Sequence, residues 1–524
     1  MKFFFRTNVT RNSGIGNYMR CLRLALKFKQ YGFESTIITD KRLNLKKNKL
    51  IKYKSLYEKK AYYSESQDAE NLLNLIDSPG YIFLDDYRFG IKWQKKIKST
   101  KNKLIVITDF FQKKIISDFV INTKPDFLNS GIYNSFLSKC SKNTKVLLGP
   151  RYSIIDKKKK NLIKEKIKKP SIGFYFGGSG DLNIPLSIIE NLNNNTLTKG
   201  YIFYIFVGPY AKNRNQLLKF QKKKLVNIKV IKNSLNISDD FLHLDLLISS
   251  AGLSIFESSL YNIPTILFEL VENQKVNQSC LEKLGNYFLF NKKDLLKPKR
   301  ISKLISIIIE NKKRIKKLFT KKEIVLDDKG SERIVKEILM SKKGYIKKNE
   351  KLDQNIKKNL NEKYKIEKVK DSHINDYLNI SNKKINRKNS LSNDKIKKID
   401  HYDWWFKSKR VSYIFKKGNK RLILFFHEKI KIMEKDYIFP GWYLIDEKTS
   451  FLEILRGISS QYKMLSSSKY LNVTQIGIIN KQNHSMLILT KKLKWVLIKK
   501  GDKLLDILKN KIKLSKNFNY YKRY

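Results

Sequence analysis

Cysteine is scarce in this 524-residue chain: there are three, Cys21, Cys140 and Cys280. They are far apart and odd in number, so they form no disulfide framework and no CxxC metal knuckle, and a reducing compartment is the simplest setting. Histidine is scarce too. All five (His243, His373, His401, His427, His484) lie beyond residue 240, so the first αβ region must work without one. Long apolar runs are missing. The most apolar window, 244–271, is broken by Asp245, Glu257 and Pro264 and reads as buried αβ structure, not as a membrane span. The opening MKFFFRTNVTRN has three consecutive apolar residues after Lys2, too few for a signal-peptide core, which predicts a cytoplasmic protein with no transmembrane segment. Acids are outnumbered, 47 against 110 Lys plus Arg, for a formal charge of +63. The lysines are dispersed, including the outer faces of helices expected at 214–224 and 311–322. That pattern reads as solvated surface and argues against nucleic acid as the main partner. The charge still favours an anionic small-molecule substrate, with a salt-sensitive attraction.

What is present is enough to bury cores in about three domains: 41% apolar residues, 30 Phe and 28 Tyr. Residues 1–40 read as strand (Lys2–Thr7), glycine turn, helix (17–31) and strand (Ser35–Thr39), with further strands at 80–85, 103–108 and 117–122. A second αβ series opens after the Lys-rich stretch 157–169, with strands at 171–176, 201–207, 226–231, 245–249 and 264–268. This alternation predicts parallel sheets with crossover helices. The expected organisation is a Rossmann-like lobe over 1–160, a second over 161–335, a charged linker over 336–362 and an α+β domain over 363–515. No internal repeat is visible.

Three small-residue turns follow strands and precede helices. Gly14-Ile15-Gly16 is the first. Phe176-Gly177-Gly178-Ser179-Gly180-Asp181 is the second. Ser249-Ser-Ala-Gly252-Leu-Ser254-Ile-Phe-Glu257 is the third. Glycine lets the backbone approach a ligand, and a helix N-terminus offers unpaired N–H groups and a positive dipole end, so such turns suit phosphate or sugar oxygens. Ser179 and Ser254 add hydroxyls. Glu257, one turn into its helix, suits the two hydroxyls of a ribose. Asn273 and Gln274 offer amides downstream.

RTNVTRNSGIGNYMRCLRLA resembles the N-terminus of the UDP-2,4-diacetamido-2,4,6-trideoxy-β-L-altropyranose hydrolases of pseudaminic acid synthesis, and of the related spore-coat polysaccharide proteins. LDDY (84–87), LLGPRY (147–152), FGGSGD (176–181), SSAGLSIFE (249–257), NIPT (262–265) and ENQ (272–274) follow in that family's order. The resemblance covers about residues 1–290. It implies a GT-B-like, MurG-related α/β fold of two Rossmann-like lobes, with UDP held mainly by the second and water displacing it from the sugar. Carried over, Gly14, Gly16, Arg20, Tyr87, Arg151, Gly177, Gly178, Ser179, Gly252, Ser254, Glu257, Asn273 and Gln274 would bind substrate. The family's water-activating histidine falls on Asn17, which cannot take a proton at neutral pH. A base in this lobe would then be a carboxylate, Asp86 first and Asp109 second. The resemblance calls for no metal or cofactor. A glycosyltransferase on the same fold and a nucleotide-sugar-binding protein without turnover are the alternatives.

Residues 363–500 resemble a GNAT N-acetyltransferase. Asn483–Trp495 is similar to its N-x-x-M/S-x-x-L-x-x-K-x-G-F pattern, with Lys494 where the family has glycine, and His401 with Trp404–Phe406 is similar to a helix of many sugar N-acetyltransferases. The resemblance implies acetyl-CoA as a ligand and neighbouring pathway enzymes as partners. The glycine loop that would bind the coenzyme A pyrophosphate is missing. In its place, Asp446–Phe451 has two acids and no glycine, which points to a domain of GNAT shape that binds the coenzyme poorly or not at all.

Overall fold

Strand sequences such as KFFFRT, YIFLD and IFYIFV are buried along almost their whole length. That is what a parallel sheet covered by helices on both faces requires. The computed structural model describes residues 1–9, 15–41, 47–57, 64–156, 169–193, 200–222, 227–232, 241–341, 363–432, 434–467, 470, 472–512 and 517–524. The chain divides into two units, Met1–Glu350 and Lys351–Tyr524.

The first unit holds two parallel sheets. One contains β1 (Lys2–Thr7), β2 (Glu34–Thr39), β3 (Lys52–Ser55), β4 (Tyr81–Asp85), β5 (Lys103–Ile107), β6 (Phe119–Asn122) and β7 (Lys145–Leu148), in the order β3-β2-β1-β4-β5-β6-β7. The other contains β8 (Ser171–Tyr175), β9 (Ile202–Val207), β10 (Asn227–Lys232), β11 (Leu246–Ser250), β12 (Thr265–Glu269) and β13 (Phe288–Asn291), in the order β10-β9-β8-β11-β12-β13. This is the two-lobed, GT-B-like α/β architecture expected. Its first core is aromatic: Phe3 stacks on Phe28 with ring centroids 3.8 Å apart, and Phe5 on Phe83 at 4.4 Å.

The chain does not leave the two lobes as separate bodies. The helix Gly330–Met340 follows the second lobe but buries Ile334, Val335 and Ile338 in the core of the first. Gly330 makes this possible, since a Cβ there would lie 2.1 Å from the Ser153 carbonyl oxygen. The lobe boundary expected at 335 and the linker expected from 336 therefore both fall inside a helix. Residues 342–362 of that linker, like 157–168 of the Lys-rich stretch, lie outside the described residues.

The second unit is a mixed seven-stranded sheet of β14 (Tyr364–Lys368), β15 (Val411–Lys417), β16 (Lys420–Ile432), β17 (Lys435–Leu444), β18 (Thr474–Asn480), β19 (Val496–Leu497) and β20 (Phe518–Arg523), ordered β14-β15-β16-β17-β18-β20-β19. All its pairings are antiparallel except β17 with β18, which are parallel and in register at Tyr437↔Thr474 and Ile438↔Gln475. β20 lies between β18 and β19, so this domain runs past the boundary expected at 515. The HYDWWF segment forms the helix Lys398–Lys407, where His401 is buried with Nε2 2.8 Å from the Ile374 carbonyl oxygen. Burial pushes its pKa down to about 4. Among the described residues, no helix is long and apolar enough to cross a membrane.

Candidate functional site

In each sheet of the first unit the strand order reverses once, between β1 and β4 and between β8 and β11. Loops at the carboxyl ends of strands diverge at such points and leave a crevice for ligands. The four segments after these strands carry most of the residues singled out from sequence. The turn after β1 leads into the helix Gly16–Gln30, and Asp86 and Tyr87 follow β4. The glycine turn 176–181 follows β8, and Ala251-Gly252 follows β11.

The first-lobe wall is built around one guanidinium. Asn17, Arg20 and Arg23 recur at three-residue spacing on the helix Gly16–Gln30 and are all buried. Arg20 Nε and Nη2 donate to the two carboxylate oxygens of Asp85 at 2.9 and 2.8 Å. Its Nη1 donates to both oxygens of Asp109 at 2.8 and 2.9 Å, and Nη2 also donates to the Tyr87 hydroxyl at 2.9 Å. Tyr87 donates in turn to Asp109 Oδ2, and Asn17 Nδ2 donates to the Asp85 carbonyl at 3.2 Å. Burial works against the Arg20 charge, but Asp109 and Asp85 outweigh it and hold the guanidinium protonated. Burial drives the Asp85 carboxyl up to about 7 against the pull of Arg20, with Asp109 and Asp86 adding to the rise. Burial also lifts the Tyr87 phenol well above its usual value, so it serves as a hydrogen-bond donor.

Asp86 belongs to a different network. Its two oxygens accept from Arg88 Nε and Nη2, at 3.0 and 2.6 Å respectively. Arg88 also holds Asp40, which accepts from Asn8 at 2.8 Å and from the fully buried Arg6. Arg6 is further held by Asp68. Asp86 thus orients its own turn, while Asp109, ranked second from sequence, is the carboxylate joined to Arg20 and Tyr87.

In the second lobe the turn after β8 packs tightly. Gly177 has φ +79°, which favours glycine. A Cβ at Gly178 would meet the Ile15 side chain at 2.9 Å, so the glycine turns of the two lobes are in direct contact. The Ser179 hydroxyl is buried and has no hydrogen-bond partner among the described residues. Ser254 differs from expectation. Its hydroxyl donates to the Ser250 carbonyl at 2.6 Å and accepts from Ser249 at 3.0 Å, so it braces the turn from within. The helix Ser254–Tyr261 receives no side-chain cap at Leu253. The amides of Gly252, Ile255, Phe256 and Glu257 already donate to backbone carbonyls of Ser250, Gly252 and Leu253, which leaves the N–H groups of Leu253 and Ser254, not the Ser254 hydroxyl, for an anion.

Asn273 and Glu257 meet the first lobe, and Gln274 braces the Gly252 turn within its own lobe. Asn273 Nδ2 lies 3.5 Å from the Tyr87 hydroxyl. Gln274 Nε2 comes within 3.9 Å of where a Cβ on Gly252 would stand. Glu257 is buried and accepts from Arg23 Nη2 at 2.8 Å, while Arg23 Nη1 donates to the Ile154 carbonyl at 2.9 Å. One predicted residue, Arg151, is not brought in, and one is outside the described residues. Arg151 is exposed against the Tyr152 ring, its carbonyl held by Arg333, and Gly14 lies outside the described residues. Arg23, Asp85 and Lys124 were missed from sequence. The polar stripe 17/20/23 in the otherwise apolar stretch 17–26 of that helix was the signal for Arg23. Lys124 is 8% exposed and donates to the Lys275 carbonyl of the other lobe.

Removing Arg23 leaves Glu257 as a buried, uncompensated charge. Arg23→Met is expected to lower the unfolding free energy by about 3–5 kcal/mol in urea melts. Arg23→Met/Glu257→Met should recover most of that loss, and an equal loss in both variants would show that the pair is not coupled.

Residues 174–338 match the glycosyltransferase family 28 C-terminal domain. The chain is 27% identical over 292 residues to uncharacterized protein MJ1062 of Methanocaldococcus jannaschii, a match covering 52% of this chain and 57% of that protein. It therefore spans little more than half the length of this curated relative. Among solved structures it is similar to the S. aureus MnaA–UDP co-structure, at 12% identity and TM-score 0.44, covering 66% of this chain and 98% of that one. MurG of Acinetobacter baumannii gives 12% identity and TM-score 0.43, covering 65% and 99%. Anabaena Alr3699/HepE in complex with UDP-glucose gives 12% identity and TM-score 0.43, covering 65% and 100%.

Proposed function

We propose that the first unit is a UDP-sugar enzyme that cleaves the bond between the sugar and UDP. The observation that carries this reading is the meeting of the two lobes at their switch points, with Asp109, Arg20 and Tyr87 on one wall and the uncapped turn at Gly252 on the other. The diphosphate would lie on the Leu253 and Ser254 amides at the start of the helix Ser254–Tyr261 and on the glycine turn, beside the unpartnered Ser179 hydroxyl. Glu257, fixed by Arg23, would accept the ribose hydroxyls. Asn17, Asn273 and Gln274 would meet the sugar.

In the hydrolase reading, Asp109 takes a proton from water as the water oxygen bonds to the anomeric carbon. The bond from that carbon to the phosphate oxygen breaks, and UDP leaves with the electron pair, stabilised by the helix-terminus amides. The products are free sugar and UDP. The 2,4-diacetamido-trideoxy sugar nucleotides of nonulosonic acid or surface polysaccharide synthesis are the substrates the sequence resemblance favours. A glycosyltransferase is the second reading, favoured by the family 28 match of the second lobe. There an acceptor hydroxyl replaces water and gives its proton to the same carboxylate.

UDP release from UDP-2,4-diacetamido sugars, with and without candidate acceptors, separates the two. Release in water alone is the hydrolase result, and release that requires an acceptor is the transferase result. In either case Asp109→Asn is expected to lower kcat by about 10²–10⁴-fold. Asn17→His, which supplies the imidazole used by the resembling family, should raise hydrolysis. A protein that binds UDP but shows no release from any of these sugars would contradict the enzyme reading.

For the second unit we infer a GNAT-shaped module that does not bind acetyl-CoA. Lys494 has φ +58° just after the helix His484–Lys492, so the backbone keeps the left-handed turn that the resembling family fills with glycine. The place of the pyrophosphate loop is already satisfied. Ser450 and Glu453 form a reciprocal capping box on the helix Phe451–Leu465, and Asp446 accepts from the Lys448 amide at 2.9 Å. Calorimetry with acetyl-CoA should show no saturable heat up to about 1 mM, the range of a ~4 kcal/mol interaction. Micromolar binding would contradict this.

A further inference from the structure

The segment after β12 faces both lobes in alternation. Asn273, Lys275 and Asn277 each meet the first lobe. Asn273 Nδ2 lies 3.5 Å from the Tyr87 hydroxyl, the Lys275 carbonyl accepts from Lys124 Nζ, and the Asn277 amide donates to Asp126 Oδ1 at 2.9 Å. Gln274 and Val276 face back. Gln274 Oε1 accepts from the Leu270 amide at 3.0 Å while its Nε2 approaches Gly252, and the Val276 amide donates to Glu269 Oε1 at 2.9 Å. This period of two lets one short segment brace the Gly252 turn and also grip the strand ends that carry Tyr87 and Lys124.

Lys124 is the charged member of that grip. Its ammonium is buried, lies 5.0 Å from the Phe111 ring, and feels Asp109 and Asp126 from the first lobe and Glu269 and Glu272 from the second. Burial lowers its pKa, and those acids oppose the fall. Asp126 is buried too, and its Oδ2 has no hydrogen-bond partner among the described residues. Without the ammonium, acids from both lobes would face one another uncompensated, and like charges would push the lobes apart.

We propose that Lys124 is a positioning residue of the UDP-sugar site: it clasps residues 273–277 to the first lobe and so brings a nucleotide sugar seated at Gly252 up to Asp109. The clasp rests on the UDP-sugar reading for its purpose, though not for its existence. Lys124→Met keeps an unbranched apolar side chain of similar length and removes the charge and its donors. Lys124→Arg keeps both.

Hydrogen exchange and UDP release on the full chain test the proposal. In Lys124→Met the amides of 273–277 should exchange at least about tenfold faster than in the wild type, in the absence of any nucleotide. The kcat for UDP release should fall by about 10–100-fold with KM changed by less than about threefold, and Lys124→Arg should restore both readouts. Should Lys124→Met fail to fold, Asp126→Ala, which cuts the adjoining link, should give the same faster exchange. Wild-type exchange and wild-type kcat in Lys124→Met would overturn the proposal. If the wild type releases no UDP, the activity reading fails, and the exchange result alone decides whether the clasp exists.

Discussion

The burial of the Arg20 guanidinium sets the shape of the first-lobe wall. Taking such a charge out of water costs several kcal/mol unless every donor finds an acceptor and the charge is matched. Arg20 meets that demand with groups from three places: Asp85 at the end of β4, Tyr87 in the turn beyond it, and Asp109 after β5. Satisfying one cation therefore fixes the loops at two strand ends. It also orients Asp109, whose oxygens are held by Arg20 and Tyr87 instead of swinging freely, and a preoriented carboxylate is what proton transfer from a bound nucleophile needs.

The same logic repeats nearby. Arg6, inside β1 among phenylalanines, is matched by Asp68 and Asp40, and Arg23 is matched by Glu257 across the lobes. Each of these arginines draws an acid from a distant part of the chain, so the polar lining of the cleft is cross-braced even though the surface is dominated by lysine. In the second lobe the bracing is steric and backbone-based. Gly178 makes room for Ile15, a Cβ at Gly208 would fall 2.5 Å from the Gly178 carbonyl oxygen, and Ser254 ties the start of its helix to Ser250.

Strands with continuous apolar sequence were legible from residues alone, because burial on both faces leaves a pattern that needs no partner to be seen. β3, with the sequence KYKS, was not. It is short, polar and at the sheet edge, where neither face demands apolar residues. β7 (KVLL) and β13 (FLFN) also end their sheets; they are apolar and largely buried, but four residues are too few to show a strand period. The small-residue turns after β8 and β11 were legible because glycine and serine cluster there between an apolar strand and a helix. The choice between Asp86 and Asp109 was not, since sequence places both just after strands and does not say which guanidinium each will meet. Glu257 and Arg23 are 234 residues apart. Nothing local announces such a pair, or the alternation of 273–277 between two lobes.

The proposed function requires a nucleotide sugar between these walls, its diphosphate on the Gly252 turn and its anomeric carbon toward Asp109. A crystal structure of the full chain with a UDP-sugar bound tests this most directly. Phosphate oxygens are expected within about 3 Å of the Leu253 and Ser254 N–H groups, and the sugar within hydrogen-bonding reach of Asp109 or Tyr87. A nucleotide bound away from the Gly252 turn, or a sugar facing out from the Arg20 cluster, would contradict it.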